Sequence, residues 1–162
     1  MKPTFLNQNR PLITGMILKD NPDSIRFAVK NSIYDGADCL GIQLECLKKE
    51  YKSEENYEKI FAACFGHPIY ITNYRGNENN GFSDEELADG LLKALSCGAT
   101  LGDVPASWFD SDSGMGIGLE LSMKQSAIDK QMRLIDKIHQ MGKEALMSSH
   151  VLKFVSAETV LE

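Results

Sequence analysis

Residues 66–98 read GHPIYITNYRGNENNGFSDEELADGLLKALSCG, and they contain one strand, one polar loop and one helix in that order. Residues 68–74 form a short apolar run that is typical of a buried strand. Ser83 and Glu86 have the spacing of a capping box and predict a helix that begins beside them. Gly98 follows the helical pattern, where glycine accepts the left-handed conformation that ends a helix. The stretch therefore predicts one βα unit.

The same unit recurs along the chain. The first two intervals between helix-closing glycines are 30 and 32 residues, which matches one strand plus one crossover helix. Strict alternation of strands and helices predicts a parallel sheet with right-handed crossovers. The closing glycines are Gly36, Gly66, Gly98 and Gly142. The predicted strands are 11–18, 39–44, 68–74, 100–105 and a fifth that ends at His150, and the predicted helices begin near Asp23, Ser53, Ser83 and Ser126.

Two architectures fit this alternation. A doubly wound five-stranded sheet would be complete at this length, whereas an eight-stranded barrel usually needs about 250 residues. Residues 18–22 contain no glycine that would let a phosphate approach the backbone, which argues against a nucleotide-binding sheet. The residues therefore predict an α/β fold with parallel strands and leave both architectures open. Residues 1–162 would form a single incomplete domain, cut inside a βα unit.

Composition narrows the function classes. The chain has 162 residues, 43% of them hydrophobic, which suits one domain with a proper core. A net charge of -6 with scattered basic residues argues against a nucleic-acid partner. The four cysteines lie far apart, the amino terminus lacks a signal-peptide pattern, and no stretch is apolar enough for a membrane helix. We expect a reduced, cytoplasmic protein without a membrane partner.

Polar side chains stand at the carboxyl end of every predicted strand, where parallel α/β folds place their ligands. His150 is the candidate general acid/base, although a histidine at a strand end is often only a hydrogen-bonded surface residue. Arg75 could offer a two-pronged fork to a carboxylate or diol, or be an ordinary surface guanidinium. No metal is expected, because the calcium-like loop at 110–114 has Leu121 where the bidentate glutamate is due. The other residues at strand ends are Lys19, Asp20, Gln43, Glu45, Tyr74, Asp103, Ser148 and Ser149.

Four strand motifs resemble those of type I 3-dehydroquinate dehydratases. PIYITNYR at 68–75, followed by ENNG at 78–81, resembles the family's P-I-I-F-T-x-R-x-x-x-E-G-G segment. GADCLGIQLE at 36–45 resembles its G-A-D-x-x-E-x-R-x-D strand. Residues 98–104 resemble its G-A-x-x-x-D-I strand, and residues 146–150 its I-x-S-x-H strand. The likeness runs from about Pro11 to the end of the chain.

The resemblance favours the barrel over the doubly wound sheet, so the chain would be the first five βα units of a (β/α)8 TIM barrel. It implies a cytoplasmic lyase of the shikimate pathway of aromatic amino acid biosynthesis. Such an enzyme forms a Schiff base between a lysine and a ketone, which acidifies the adjacent C–H bond, and then eliminates water without a cofactor. His150 matches the family's proton-transferring histidine, and the expected substrate is 3-dehydroquinate or a related cyclic keto acid. The residues expected to bind it are Arg75, Gln43, Glu45, Glu78 and Ser148.

This sequence departs from the family at several positions. Gly41 replaces the family's glutamate, Gln43 its arginine, and Asn79 the glutamate after the third strand, although Glu78 beside it could substitute. The imine-forming lysine belongs on the strand after the histidine, and Lys153 is too close to His150 to take that place.

A second hypothesis therefore stays open. The chain could be a non-catalytic regulatory module that holds an anionic metabolite with Arg75 and the loop at 106–118. A closed five-stranded sheet would be a stable monomer. An open partial barrel exposes the inner face of its first strand and the edge of its fifth, so it is expected to self-associate, for example as a homodimer.

Overall fold

The computed structural model describes residues 3–113, 120–151, 154 and 156–158. Within these residues, five parallel strands alternate with four α-helices, as predicted. The strands are β1 (Thr14–Ile17), β2 (Cys39–Gln43), β3 (Ile69–Thr72), β4 (Leu101–Pro105) and β5 (Glu144–Ser148). The helices are α1 (Pro22–Tyr34), α2 (Glu54–Ala62), α3 (Asp84–Ser96) and α4 (Gln125–Gln140). Short 3-10 turns lie at Leu44–Cys46, Lys49–Tyr51 and Asn77–Asn79.

The sheet follows the order of the chain, β1-β2-β3-β4-β5, and each neighbouring pair is parallel. A doubly wound sheet reverses its strand order at a switch point, whereas a barrel adds every strand to the same side of the previous one. The strand order is that of a barrel, and the described residues supply five of its eight strands. The prediction of a partial (β/α)8 barrel is confirmed, and the doubly wound alternative is wrong.

The hydrophobic core lies between the sheet and the helices. Leu40, Ile42 and Ile71 of the strands are fully buried there. Helix α3 approaches the sheet closely at Gly102, where an added Cβ would stand 3.0 Å from Cδ1 of Leu95. Glycine at this position therefore brings α3 and β4 together. The helical residues that fill the same core include Ile25, Val29, Ile60, Leu91 and Ile138.

Local signals in the sequence placed the helix ends well. Ser53 accepts a hydrogen bond from the backbone of Asn56, and Ser83 forms the complete capping box with Glu86. Asn21, which the sequence analysis missed, caps α1 through the backbone of Ser24. All four closing glycines have positive φ angles, between 66° and 129°, as a helix-ending glycine should.

Strand β5 ends at Ser148, two residues before the predicted end, so His150 stands in the loop that follows it. At the other end of β5, the carboxylate of Glu144 accepts hydrogen bonds from Thr4 and from the backbone of Phe5. Of the predicted irregular loop at 106–118, residues 114–119 lie outside the described part, as does Lys153. The four cysteines carry free thiols. None of the described helices has the length and apolarity required to cross a membrane.

Candidate functional site

A cavity of about 910 Å³ opens at the carboxyl ends of β3, β4 and β5. Its walls come from the loops that follow these three strands, as the ligand position in a barrel requires. His150 and Arg75 both line it, so the two residues that the sequence analysis considered most important share one cavity. The aromatic residues of its lining are Tyr74, Phe82, Trp108 and Phe109, and the acidic ones are Asp84, Glu85 and Glu120.

The imidazole of His150 is held on two sides. Its Nδ1 lies 2.8 Å from Oε2 of Glu120, a residue of the loop between β4 and α4. Its ring packs edge-on against Tyr74, with the two ring centroids 5.2 Å apart. No described residue hydrogen-bonds Nε2. The geometry thus orients the ring through Nδ1 and leaves Nε2 as the nitrogen that can exchange a proton with a ligand.

Beneath His150, three side chains join β3 and β4 inside the barrel. The hydroxyls of Tyr70 and Tyr74 both donate to Oδ2 of Asp103, a fully buried residue. Burial raises the pKa of both tyrosines, and the neighbouring carboxylate raises it further, so both remain protonated donors. The hydroxyl of Ser148, one of the predicted binding groups, lies beside that of Tyr74. Oδ1 of Asp103 has no hydrogen-bond partner among the described residues.

Arg75 forms the outer wall of the cavity. Its Nε and Nη2 donate to the two carboxylate oxygens of Asp84, at 2.7 and 2.5 Å. The guanidinium also donates to three backbone carbonyls in the loop after β4, those of Ser107, Asp110 and Ser113. The charge of Arg75 is therefore balanced by Asp84, and its Nε and Nη2 donors are already used within the protein. That Arg75 binds a ligand carboxylate stays a prediction.

Glu45 lies on the turn that follows β2 and does not line the cavity. It is 2% exposed and accepts hydrogen bonds from Oγ1 of Thr72, at 3.0 and 2.9 Å, and from the backbone of Tyr74. Burial raises its pKa above the ordinary glutamate value. The nearby Lys52 is half-buried, which lowers its pKa, and it donates to Asn79. Glu45 thus fastens the start of the loop after β3 to the end of β2.

The other predicted binding residues are spread around the same region. Gln43 accepts a weak hydrogen bond from Sγ of Cys46, and Glu78 lies on the turn near Lys52. Of the six predicted site residues, only His150 and Arg75 line the cavity; Gln43, Glu45, Glu78 and Ser148 lie outside its lining. Trp108, from the loop at 106–118 that the second hypothesis named, and Glu120 also line it. Glu120 was missed because no local pattern connects it to a strand end.

Met16 fills the space over Gly41, the position where the resembled family has glutamate. A Cβ added to Gly41 would stand 2.1 Å from Sδ of Met16. Residue 41 therefore cannot carry a long side chain unless Met16 moves.

The aspartate-rich loop at 110–112 is tied to protein groups. Lys124 donates to both Asp110 and Asp112, and Ser122 donates to Asp110. These contacts, with Lys124 first, lower the pKa of Asp110 to about 2. In the described part of the chain, no group of three or more histidine, cysteine or acidic side chains could hold a metal ion.

Solved structures share this fold. The 3-dehydroquinate dehydratase of Enterococcus faecalis superposes with a TM-score of 0.66 at 16% identity, over 95% of this chain and 60% of that one. The enzyme of Geobacillus kaustophilus has a TM-score of 0.64 at 10% identity, over 86% and 49% of the two chains. The type I enzyme of Clostridium difficile has a TM-score of 0.63 at 16% identity, over 86% and 51%.

At these identities the likeness shows the fold alone. The chain spans 49–60% of the length of these three structures. No protein-family model matches the sequence, and no curated protein sequence does. The resemblance that the strand motifs indicated is therefore supported for the barrel and its strand order.

Proposed function

We propose that this chain carries the proton-transfer part of a dehydroquinase-like lyase site, with His150 as the general acid/base. One observation carries the proposal: His150 opens onto the cavity at the carboxyl ends of the barrel strands with Nδ1 engaged and Nε2 unengaged. A base at this place can remove a proton next to a ligand carbonyl. The same group can then protonate a departing hydroxyl, as dehydration requires.

The imine step needs a lysine amine at the ketone. None of the described lysines lines the cavity. We therefore propose that the described residues supply the proton transfer and that the Schiff-base lysine is not among them. The proposed substrate is 3-dehydroquinate or a related cyclic keto acid, on the strength of the motif resemblance.

A non-catalytic binding module is the second candidate. The observations that favour it are a cavity lining without any of the described lysines and the apolar side chain of Met16 in the space over Gly41. Both features are compatible with a cavity that holds a ligand and leaves it unchanged.

Hydrogen exchange separates the two candidates. The chain is incubated with 3-dehydroquinate in D₂O, and proton NMR follows the hydrogens on the carbons next to the ketone. A lyase site should accelerate their exchange, and His150→Ala should slow it by about 10²–10⁴-fold. His139→Ala is the matched control, because His139 is exposed on α4 and should leave exchange unchanged.

The outcomes decide between the candidates. Exchange that requires His150, together with substrate mass added to a lysine after borohydride reduction, supports the complete lyase. Saturable binding without exchange supports the binding module and overturns the lyase. If the chain shows neither binding of 3-dehydroquinate nor hydrogen exchange in it, both candidates are overturned for this substrate.

A further inference from the structure

We infer that Glu120 is the positioning residue of His150, and that it holds the neutral imidazole as the tautomer with its proton on Nδ1. The catalytic meaning of this inference rests on the proposed function, because a fixed Nδ1 proton makes Nε2 the base. The inference itself concerns the ring, and it can be measured without substrate.

Main-chain contacts hold the two residues together independently of their charges. The backbone N–H of Glu120 donates to the carbonyl of His150 at 2.8 Å, and Oγ of Ser149 donates to the carbonyl of Glu120 at 3.0 Å. These two contacts bring residue 120 beside the end of β5. Rotation about the side-chain bonds of Glu120 is then enough to bring its carboxylate to Nδ1 of His150, at 2.8 Å. Preorganisation of this kind is what an orienting residue requires.

The groups around the ring favour a carboxylate acceptor at Nδ1. Tyr74 covers one side of the imidazole, and its hydroxyl is committed to Asp103. Arg75 is near enough to Glu120 for their charges to interact, although its main partner is Asp84. Glu120 thus lies between the guanidinium of Arg75 and the imidazole of His150. A carboxylate accepts hydrogen bonds and donates none, so the Nδ1 contact requires the proton on the ring.

Asn79 cannot supply this contact. It stands where the resembled family has glutamate, but its amide donates to Oδ1 of Asn73 and to the carbonyl of Tyr74, and its oxygen accepts from Lys52. The amide is therefore used in holding the loop after β3. The carboxylate beside His150 comes instead from the loop after β4, a different part of the chain.

Nitrogen NMR of the ¹⁵N-labelled full chain tests the inference. Long-range ¹H–¹⁵N spectra at a pH where the rings are neutral show which nitrogen of each imidazole is protonated. Two of the three histidines are internal references. His67 Nδ1 lies 3.1 Å from the carbonyl of Asp38, which can only accept, so this ring should carry its proton on Nδ1. His139 is exposed and should show the Nε2–H tautomer that water favours.

In the wild type, His150 should carry its proton on Nδ1, as His67 does. In Glu120→Ala the proton of His150 should move to Nε2, as in His139. In Glu120→Gln, which keeps an acceptor oxygen, the proton should stay on Nδ1. Glu85→Ala is the control for loss of a carboxylate from the cavity wall, because Glu85 pairs with Lys130 and should leave the ring unaffected. For an active chain, Glu120→Ala should lower kcat by about 10–100-fold with KM nearly unchanged.

Two results overturn the inference whatever the activity: a wild-type His150 with its proton on Nε2, or an Nδ1–H tautomer that survives Glu120→Ala. The expected tautomers without hydrogen exchange in 3-dehydroquinate support the inference and overturn only the proposed function. Far-UV circular dichroism of each variant confirms that the chain is folded, and the tautomer of His150 in the wild type still decides the test if Glu120→Ala does not fold.

Discussion

The two tyrosines that share Asp103 allow a sharp test of the barrel interior. Asp103 is fully buried, and its Oδ2 receives both hydroxyls. Tyr70→Phe and Tyr74→Phe each remove one donor and leave the ring in place. We predict that each single variant loses stability, and that the double variant loses more than the two losses added together.

The magnitude follows from the number of donors that remain. A hydrogen bond to a charged group contributes about 1.5–3 kcal/mol, so each single variant should lose about that much. In either one, the remaining tyrosine still stabilises the carboxylate. The double variant leaves a buried carboxylate without these donors, and contacting residues of this kind couple by about 0.5–3 kcal/mol. We therefore expect a double loss of about 3.5–9 kcal/mol.

Urea unfolding at neutral pH measures these losses from the midpoints, provided that the m-value stays constant. Tyr34→Phe is the matched control, because Tyr34 is 92% exposed on α1 and should change stability by less than about 0.5 kcal/mol. The reasoning is refuted if both single variants behave like Tyr34→Phe. A double loss equal to the sum of the two single losses would show that the tyrosines do not share one charge.

Three further predictions concern stability. Burial raises the pKa of Glu45, so the folded state binds this proton more tightly than the unfolded chain, and wild-type stability falls as the pH rises above the ordinary glutamate pKa of about 4.3. The melting temperature of Glu45→Gln should therefore rise relative to that of wild type as the pH is raised from about 4, and a constant difference would contradict this. Leu91→Ala should cost about 2–5 kcal/mol in urea unfolding because Leu91 is fully buried, whereas Phe27→Ala, at a position 68% exposed, should cost less than about 0.5; equal losses would mean that the core is misplaced. Ser83→Ala should cost about 0.5–2 kcal/mol through loss of the capping box, and a smaller change in the same assay would remove its role in starting α3.

Much of the fold was predictable because its signals are local. Helix ends depend on residues within one turn, so Ser53, Ser83 and the four closing glycines were interpreted correctly. The alternation of units predicted a parallel sheet, and the motif resemblance favoured the barrel over the doubly wound sheet. The alternation of strands and helices cannot predict the order of the strands in the sheet, because both architectures have the same alternation.

The candidate site was only partly predictable. His150 and Arg75 were found because parallel strands place their carboxyl ends at one edge of the sheet. The contact between Glu120 and His150 joins residues 30 positions apart, and no sequence pattern signals it. Arg75 was expected to face a ligand, yet its partner is Asp84, nine residues further along the chain. A side chain binds groups that are close to it in space, and the spacing of residues along the chain does not predict which groups those are.

The sequence by itself determined the type and order of the strands and helices, the ends of most helices and which strand ends carry polar groups, because these depend on neighbours within a few residues. Only the tertiary structure decided the strand order, the partner of His150, the balance of charge at Arg75 and the burial of Asp103 beneath two tyrosines. Those features depend on which distant segments meet, and that is set when the whole sheet packs against its helices.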